Sequence, residues 1–181
     1  GGLVKAHRRA PVTLASGEVV DYGMVGDIDG VDGSVITRLL DAGFLPVVSP
    51  LSADAAGQLL NINADTVAAA IGGALVAEKL ILCTGAPGIL ERLDDPHSLI
   101  SYTDVAGLRR LREEGALSDG MLPKSSAIEA AIRGGVRRVH VISYASPDAL
   151  LAEIFTNEGT GTLVVADVHA LTPSEQAAGT P

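Results

Sequence analysis

Short apolar runs alternate with segments of helical spacing along most of this chain, and that alternation narrows the architecture more than any other feature. The runs are FLPVVSP (44–50), KLILCT (79–84), RRVHVIS (137–143) and GTLVVA (161–166). Before the first of them, residues 34–42 place Val35, Leu39 and Leu40 on one face and stop at Gly43, a residue suited to a helix C-cap. Residues 64–77 carry a stripe of Val67, Ile71, Ala74 and Leu75. Further helices are expected at about 103–114, at 121–133 with a stop at Gly134-Gly135, and from Ser146-Pro147 through ALLAEIF. Residues 3–32 differ, alternating apolar and polar residues around LASGEVV. They read as an antiparallel hairpin turning at Ser16-Gly17.

Strands that alternate with helices imply parallel pairing, right-handed crossovers and helices on both faces of the sheet. The expected fold class is therefore α/β, a three-layer αβα sandwich with a mainly parallel central sheet over residues 1–168, with 169–181 as a flexible tail. Ligands in such sheets bind beyond the carboxyl ends of the strands. That directs attention to SPLSADAAGQLLNINAD, to TGAPGIL and to the turn before Met121.

Composition agrees with one soluble domain: 47% of the 181 residues are hydrophobic and only 3% aromatic, which gives a core of small aliphatic side chains. A formal net charge of −9 argues against nucleic acid or an anionic membrane as partner. Cys83 is the single cysteine, so no internal disulfide forms and a reducing, cytoplasmic setting is expected. Lying within KLILC, it reads as buried strand rather than catalytic thiol. No run approaches the ~18 apolar residues of a membrane helix, and no signal peptide is evident. The opening GGLVKAHRR has no initiator Met, and the expectation is a trimmed chain or the later part of something longer.

Three constellations carry chemistry. Asn61, Asn63 and Asp65 alternate in NINAD, just where a helix is expected. Asn and Asp are preferred caps and an acid suits the first turn, yet one such residue suffices for capping. Three polar side chains at i, i+2 and i+4 share one side of an extended chain, so a site and a cap both remain open. In SDGMLPK, Pro123 is at home in a first turn, whereas the cation of Lys124 opposes the helix macrodipole. Either Lys124 is solvated, or it holds an anion together with the free N–H groups of the turn. In CTGAPGIL, Gly85 and Gly88 flank Pro87 in a tight loop past a strand, suited to backbone contact with a nucleotide and equally to an ordinary turn. No P-loop or GxGxxG pattern occurs, and the four His show no metal-ligand spacing.

Taken in order, LLDAGFLPVVSP, NINADTVAAAIGGAL, AEKLILCTGAPGIL, DGMLPK, GGVRRVHVIS and LLAEIFTNEGTGT resemble the acetylglutamate kinases of the amino acid kinase family. The resemblance runs from residue 1 to about 166. It implies an amino acid kinase-like fold and transfer of the γ-phosphoryl of ATP, as its Mg2+ complex, to the side-chain carboxylate of N-acetyl-L-glutamate in arginine biosynthesis. By the same resemblance Lys124 neutralises the transferring phosphoryl, Asp65 orients lysines, Asn61 holds the substrate and Asn63 lies beside it. Thr84, Gly85, Pro87, Gly88, Ile89 and Leu90, with Gly120 and Met121, would line the nucleotide pocket. A carboxylate attacks as it stands, so positioning and positive charge suffice for such a step.

The sequence also departs from the pattern. Gly85 stands where the family commonly carries an aspartate. The family's N-terminal lysine-containing glycine loop and its substrate-binding arginine have no counterpart here, so the expectation is the nucleotide-binding portion, incomplete and inactive alone. His140, Glu153 and Gly159 match the arginine-effector positions of inhibited members, and those members form homo-oligomers, dimers or hexamers. Two alternatives keep the fold: a kinase of N-acetyl-aminoadipate in lysine biosynthesis, or a non-catalytic module that senses arginine or assembles.

Overall fold

The computed structural model describes residues 2–118, 120–156 and 159–170. The expected tail therefore lies, from residue 171 onward, outside the described residues. The chain forms two compact units, residues 1–75 and 76–181.

In the first unit β1 (Val4–Arg8) is followed by the two-residue strands β2 (Val12–Thr13) and β3 (Val19–Val20), then by β4 (Gly26–Val31). β1 pairs antiparallel with β4, and β2 with β3 across the turn that contains Ser16 and Gly17. Then come α1 (Gly33–Asp41), β5 (Leu51–Ala53), β6 (Leu59–Asn61) and α2 (Ala64–Ala74), with β5 and β6 a second antiparallel pair. α1 stops where the sequence places its stop. Gly43 takes φ +82°, which lets its N–H reach Leu40 O and the Phe44 N–H reach Leu39 O, satisfying two end-of-helix carbonyls. Val4, Ala6, Leu60, Ile62 and Val67 form the buried centre of this unit.

FLPVVSP departs from expectation: no strand forms over 44–50, and Leu45 and Val47 are 87% and 93% exposed. Pro46 and Pro50 remove two ladder donors. Among the described residues the segment's backbone bonds are only those of the Phe44 N–H and of Pro50 O, which accepts from Ile62 N–H. Apolarity alone does not make a strand where no partner edge lies alongside.

The second unit continues with β7 (Lys79–Thr84), β8 (Tyr102–Asp104), α3 (Val105–Glu113), α4 (Met121–Arg133), β9 (Arg138–Ser143), α5 (Ala149–Phe155) and β10 (Thr162–Val165), ending in a 3-10 turn at Val168–Ala170. Its sheet runs β7-β9-β10-β8; β7 with β9 and β10 with β8 are parallel, and β9 with β10 antiparallel. The α/β class and the mainly parallel sheet are those expected from the alternation. Val139, Val141, Ile142 and Val164 on the strands, with Leu108 and Ile128 on α3 and α4, are fully buried. By area-transfer reckoning each such side chain contributes about 1.5–3 kcal/mol.

Cys83 is exposed rather than buried. β7 is an edge strand, and only Leu82 of its six residues is buried, so its pattern reads more apolar than its position requires. β8 begins one residue before the expected helix, because Tyr102 and Thr103 extend the chain up to the Asp104 cap. α5 starts at Ala149, not at Ser146-Pro147, after Asp148 has taken a left-handed φ of 56°.

Candidate functional site

Among the described residues α4 starts without a side-chain cap. Gly120 offers no side-chain cap, and the first turn is held by Ser118 O, which accepts from the N–H groups of Met121 (2.8 Å) and Leu122 (3.1 Å). Lys124 lies in that turn and is buried, 7% exposed. Burying a cation there runs against both its solvation and the helix macrodipole. Ser125, fully buried, donates from Oγ to Leu122 O at 2.7 Å. Arg112, in the last turn of α3, donates from Nε (3.3 Å) and Nη2 (2.9 Å) to that same Oγ. Buried Glu129, one turn further along α4, accepts from Arg112 Nη2 at 2.6 Å and from Arg109 Nε at 2.9 Å.

The loop after β7 meets the start of α4. Thr84 ends β7 opposite Ser143, the last residue of β9, and its carbonyl accepts from the Tyr144 N–H at 2.9 Å. The two carboxyl ends therefore open onto one edge. Gly85 and Pro87 are exposed, whereas Gly88 and Ile89 are buried. Gly88 admits no side chain: a Cβ would lie 2.7 Å from both Leu99 Cδ1 and Thr162 Oγ1. Thr162 Oγ1 accepts from the Ile89 N–H at 2.8 Å, fixing the loop to the first residue of β10. Gly88, Leu90, Leu117, Ser118 and Met121 line one apolar crevice of about 40 Å3. Its volume takes one edge of a ligand, well below the ~300 Å3 of a complete small-molecule pocket.

A third cluster lies on the face of β9. His140 and Glu153 are both buried, with His140 Nδ1 2.5 Å from Glu153 Oε1. Glu153 Oε2 accepts from the Thr160 N–H at 2.7 Å. Burial raises the Glu153 carboxyl, but the bonds from His140 and Thr160 outweigh it and leave the group below its ordinary value. Gly159 backs this carboxylate: a Cβ there would stand 3.2 Å from Oε2. Among the described residues His140 Nε2 is buried with no hydrogen-bond partner.

In the first unit, Asn61 closes β6 and is exposed, its N–H bonded to Met24 O at 2.8 Å. Asn63 is the N-cap of α2, its amide oxygen accepting from the Thr66 N–H at 3.1 Å. Ile62 between them is buried, so both asparagines point outward; Asp65 lies in the first helical turn, half-buried. A separate groove of about 700 Å3 in this unit includes Lys5, Asp29, Ser52 and Asp54.

The structure thus brings Gly88, Leu90 and Met121 together, with Lys124 one turn on, and gathers His140, Glu153 and Gly159. Sequence reasoning missed Thr162, Arg112, Ser125 and Glu129. A threonine opening a strand and a serine or glutamate within a helix leave no pattern of their own. An arginine in a last helical turn is explained by the dipole alone. Among the described residues no three His, Cys, Asp or Glu converge as metal ligands, and no helix is long and apolar enough to cross a membrane.

A model of the amino acid kinase family matches residues 3–143. The chain is similar to the acetylglutamate kinase of Myxococcus xanthus, with 47% identity over 169 residues, 91% of this chain and 55% of that enzyme. For the acetylglutamate kinase of Symbiobacterium thermophilum the identity is 46% over 164 residues, 91% of this chain and 56% of that enzyme. The chain spans about half the length of the curated relatives it matches. Among solved structures, N-acetylglutamate synthase from Neisseria gonorrhoeae, in complex with coenzyme A and L-arginine, gives a TM-score of 0.79 at 28% identity, covering 92% of this chain and 37% of the synthase. With a family model spanning well over half of its residues, the chain belongs to the amino acid kinase family.

Proposed function

We propose that this chain is the nucleotide-binding portion of an acetylglutamate kinase, which transfers the γ-phosphoryl of ATP to the side-chain carboxylate of N-acetyl-L-glutamate. The observation that carries the reading is 47% identity to an acetylglutamate kinase across 91% of this chain. The geometry of α4 supports it. Lys124, one turn on from the Met121 that lines the crevice, supplies positive charge beside the loop after β7, which suits an anion. The step needs a phosphoryl acceptor, a leaving nucleotide and charge compensation, and a carboxylate acceptor requires no general base. Lys124 compensates the charge on the transferring oxygens. Asn61 and Asn63 hold the acceptor; with the Asn63 oxygen engaged in capping, its amide N–H groups remain to donate. The crevice at Gly88 and Met121 takes an apolar edge of the nucleotide. Mg2+ arrives with the substrate, bound through ATP phosphates rather than by a protein cage, as is usual for this ion. A cytoplasmic homo-oligomer of the arginine pathway belongs to the same reading.

The test is hydroxylamine trapping of the acyl phosphate by the full-length polypeptide supplied with MgATP. Trapped product is expected from N-acetylglutamate in preference to N-acetyl-aminoadipate, and its loss in Lys124→Ala. Equal or faster reaction of the longer acid transfers the reading to a lysine pathway. Activity that survives Lys124→Ala removes Lys124 from the mechanism.

A second reading is favoured by one atom. His140 Nε2 is buried without a partner, in the cluster whose Glu153 carboxylate could answer a guanidinium or an α-ammonium group. Arginine as effector at His140, Glu153 and Gly159 follows. Calorimetry with L-arginine checks it, and heats unchanged by His140→Ala would sink it.

A further inference from the structure

We infer that Arg112 is a positioning residue for Lys124, acting through the buried hydroxyl of Ser125. The inference rests on the catalytic reading of Lys124. The first turn of α4 is held by backbone alone, through Ser118 O, and Pro123 brings no N–H of its own. α4 has no side-chain cap at Gly120, yet its first turn carries the lysine whose placement matters most. The tie comes instead from α3. Arg112 donates twice to Ser125 Oγ, at 2.9 and 3.3 Å, and Ser125 Oγ passes its own hydrogen to Leu122 O at 2.7 Å. A hydroxyl that accepts from a cation is a stronger donor, so the chain from guanidinium to hydroxyl to carbonyl tightens as a unit. Its two anchor points, Leu122 and Ser125, bracket Lys124 in sequence.

Glu129 completes the device. Arg112 Nη2 reaches Glu129 Oε1 at 2.6 Å while Arg109 Nε takes Oε2 at 2.9 Å, so one buried carboxylate orients the guanidinium and offsets its charge near Lys124. Ser125 is 0% exposed and Glu129 8%, so water does not substitute freely for either bond. The planar fork of arginine serves the hydroxyl and the carboxylate at once, which a lysine ammonium in one position does not.

The two halves of the network can be separated. Ser125→Ala cuts the tie to the first turn and leaves the Arg112–Glu129 ion pair joining α3 to α4; Arg112→Met removes both. Misplacing a reacting group by a fraction of an ångström to an ångström costs on the order of 10- to 100-fold in rate. In the full-length polypeptide, Ser125→Ala is expected to lower kcat about tenfold, with KM for ATP within about twofold and a thermal midpoint lowered less than in Arg112→Met. Arg112→Met should lower kcat similarly and also lower the midpoint. Arg112→Lys should recover the midpoint without recovering kcat. Hydrogen exchange gives a readout independent of catalysis: amides of residues 121–126 should exchange about tenfold faster in Ser125→Ala, with β7 and β9 peptides unchanged. Normal exchange in a folded Ser125→Ala protein overturns the inference, as does faster exchange with normal kcat. Lys124→Ala assayed alongside keeps the two claims apart. Its survival defeats the catalytic reading whatever Ser125 does; its inactivity beside a wild-type Ser125→Ala defeats the positioning role alone.

Discussion

α2 and α4 both begin at residues that resemble a site, and they begin in opposite ways. At α2 the local rules are obeyed: Asn63 is extended, caps through its side chain, and is followed by an acid, Asp65, in the first turn. At α4 the same rules are broken, since Gly120 caps nothing and the first turn buries a cation. A sequence that satisfies local physics needs no further reason for its residues. One that violates it has a further reason to do so, and here α3 braces the turn through Arg112 and Ser125. Violations of this kind are where function is expected to lie.

The largest effect separates the two starts by activity. Lys124→Ala is expected to reduce phosphoryl transfer by about 100-fold or more, the usual loss when one preorganised charge-stabilising group is removed. Single-turnover kinetics with MgATP measures it. The second effect separates them by stability. Asn63→Ala removes a true cap and should destabilise the first unit by about 1 kcal/mol. Urea unfolding followed by circular dichroism would show it as a lower midpoint at unchanged slope. A wild-type midpoint would mean that the bond to the Thr66 N–H is replaced by solvent at no cost.

This contrast explains what could be read in advance. The ends of α1 and α4 were legible because their glycine stops agree with the backbone bonds that form, as at Gly43 and Gly135. By contrast, α1 buries Ile36 and leaves Leu39 and Leu40 of the expected stripe exposed, and α2 ends at Ala74, short of 77. FLPVVSP was misread, since apolar content cannot say whether a neighbouring edge exists. Cys83 was misread for the related reason that an edge strand and a central strand share one composition. Lys124 could be singled out as a candidate because it breaks a local rule. Arg112, Ser125 and Glu129 could not, because each looks ordinary where it stands and they meet only in three dimensions.

Asp104 extends the comparison to a third start, that of α3, where the cap is charged. Burial raises its carboxyl, but N–H groups of Gly107, Val168 and Ala106 more than reverse that, so it sits below its ordinary value. A depressed folded value stabilises the fold above the unfolded value, near 4, and this stabilisation is lost as pH falls through the folded one. Asp104→Asn keeps the oxygen that accepts from the Gly107 N–H, loses the one that accepts from the Val168 N–H, and removes the titration. Thermal midpoints taken between pH 7 and pH 3 should therefore fall less steeply in the variant than in the wild type. Equal slopes would place the acid sensitivity elsewhere.

The smallest effect probes α4 directly, by giving it the cap it lacks. A Cβ at Gly120 meets nothing within 4 Å, so Gly120→Ser costs no packing. Gly120 already has helical φ and ψ, −70° and −22°, rather than the extended backbone of a good cap. The gain in stability should therefore be only a few tenths of a kcal/mol. The kinetic consequence should run the other way. A serine oxygen competes with Ser118 O for the Leu122 N–H, Pro123 having none, and crowds the turn beside the crevice, so KM for ATP should rise while stability rises slightly. Stability and nucleotide affinity moving in opposite directions would mark the bare helix start as functional. If both improved together, the missing cap would be an accident of the turn, and the asymmetry between α2 and α4 would lose its meaning.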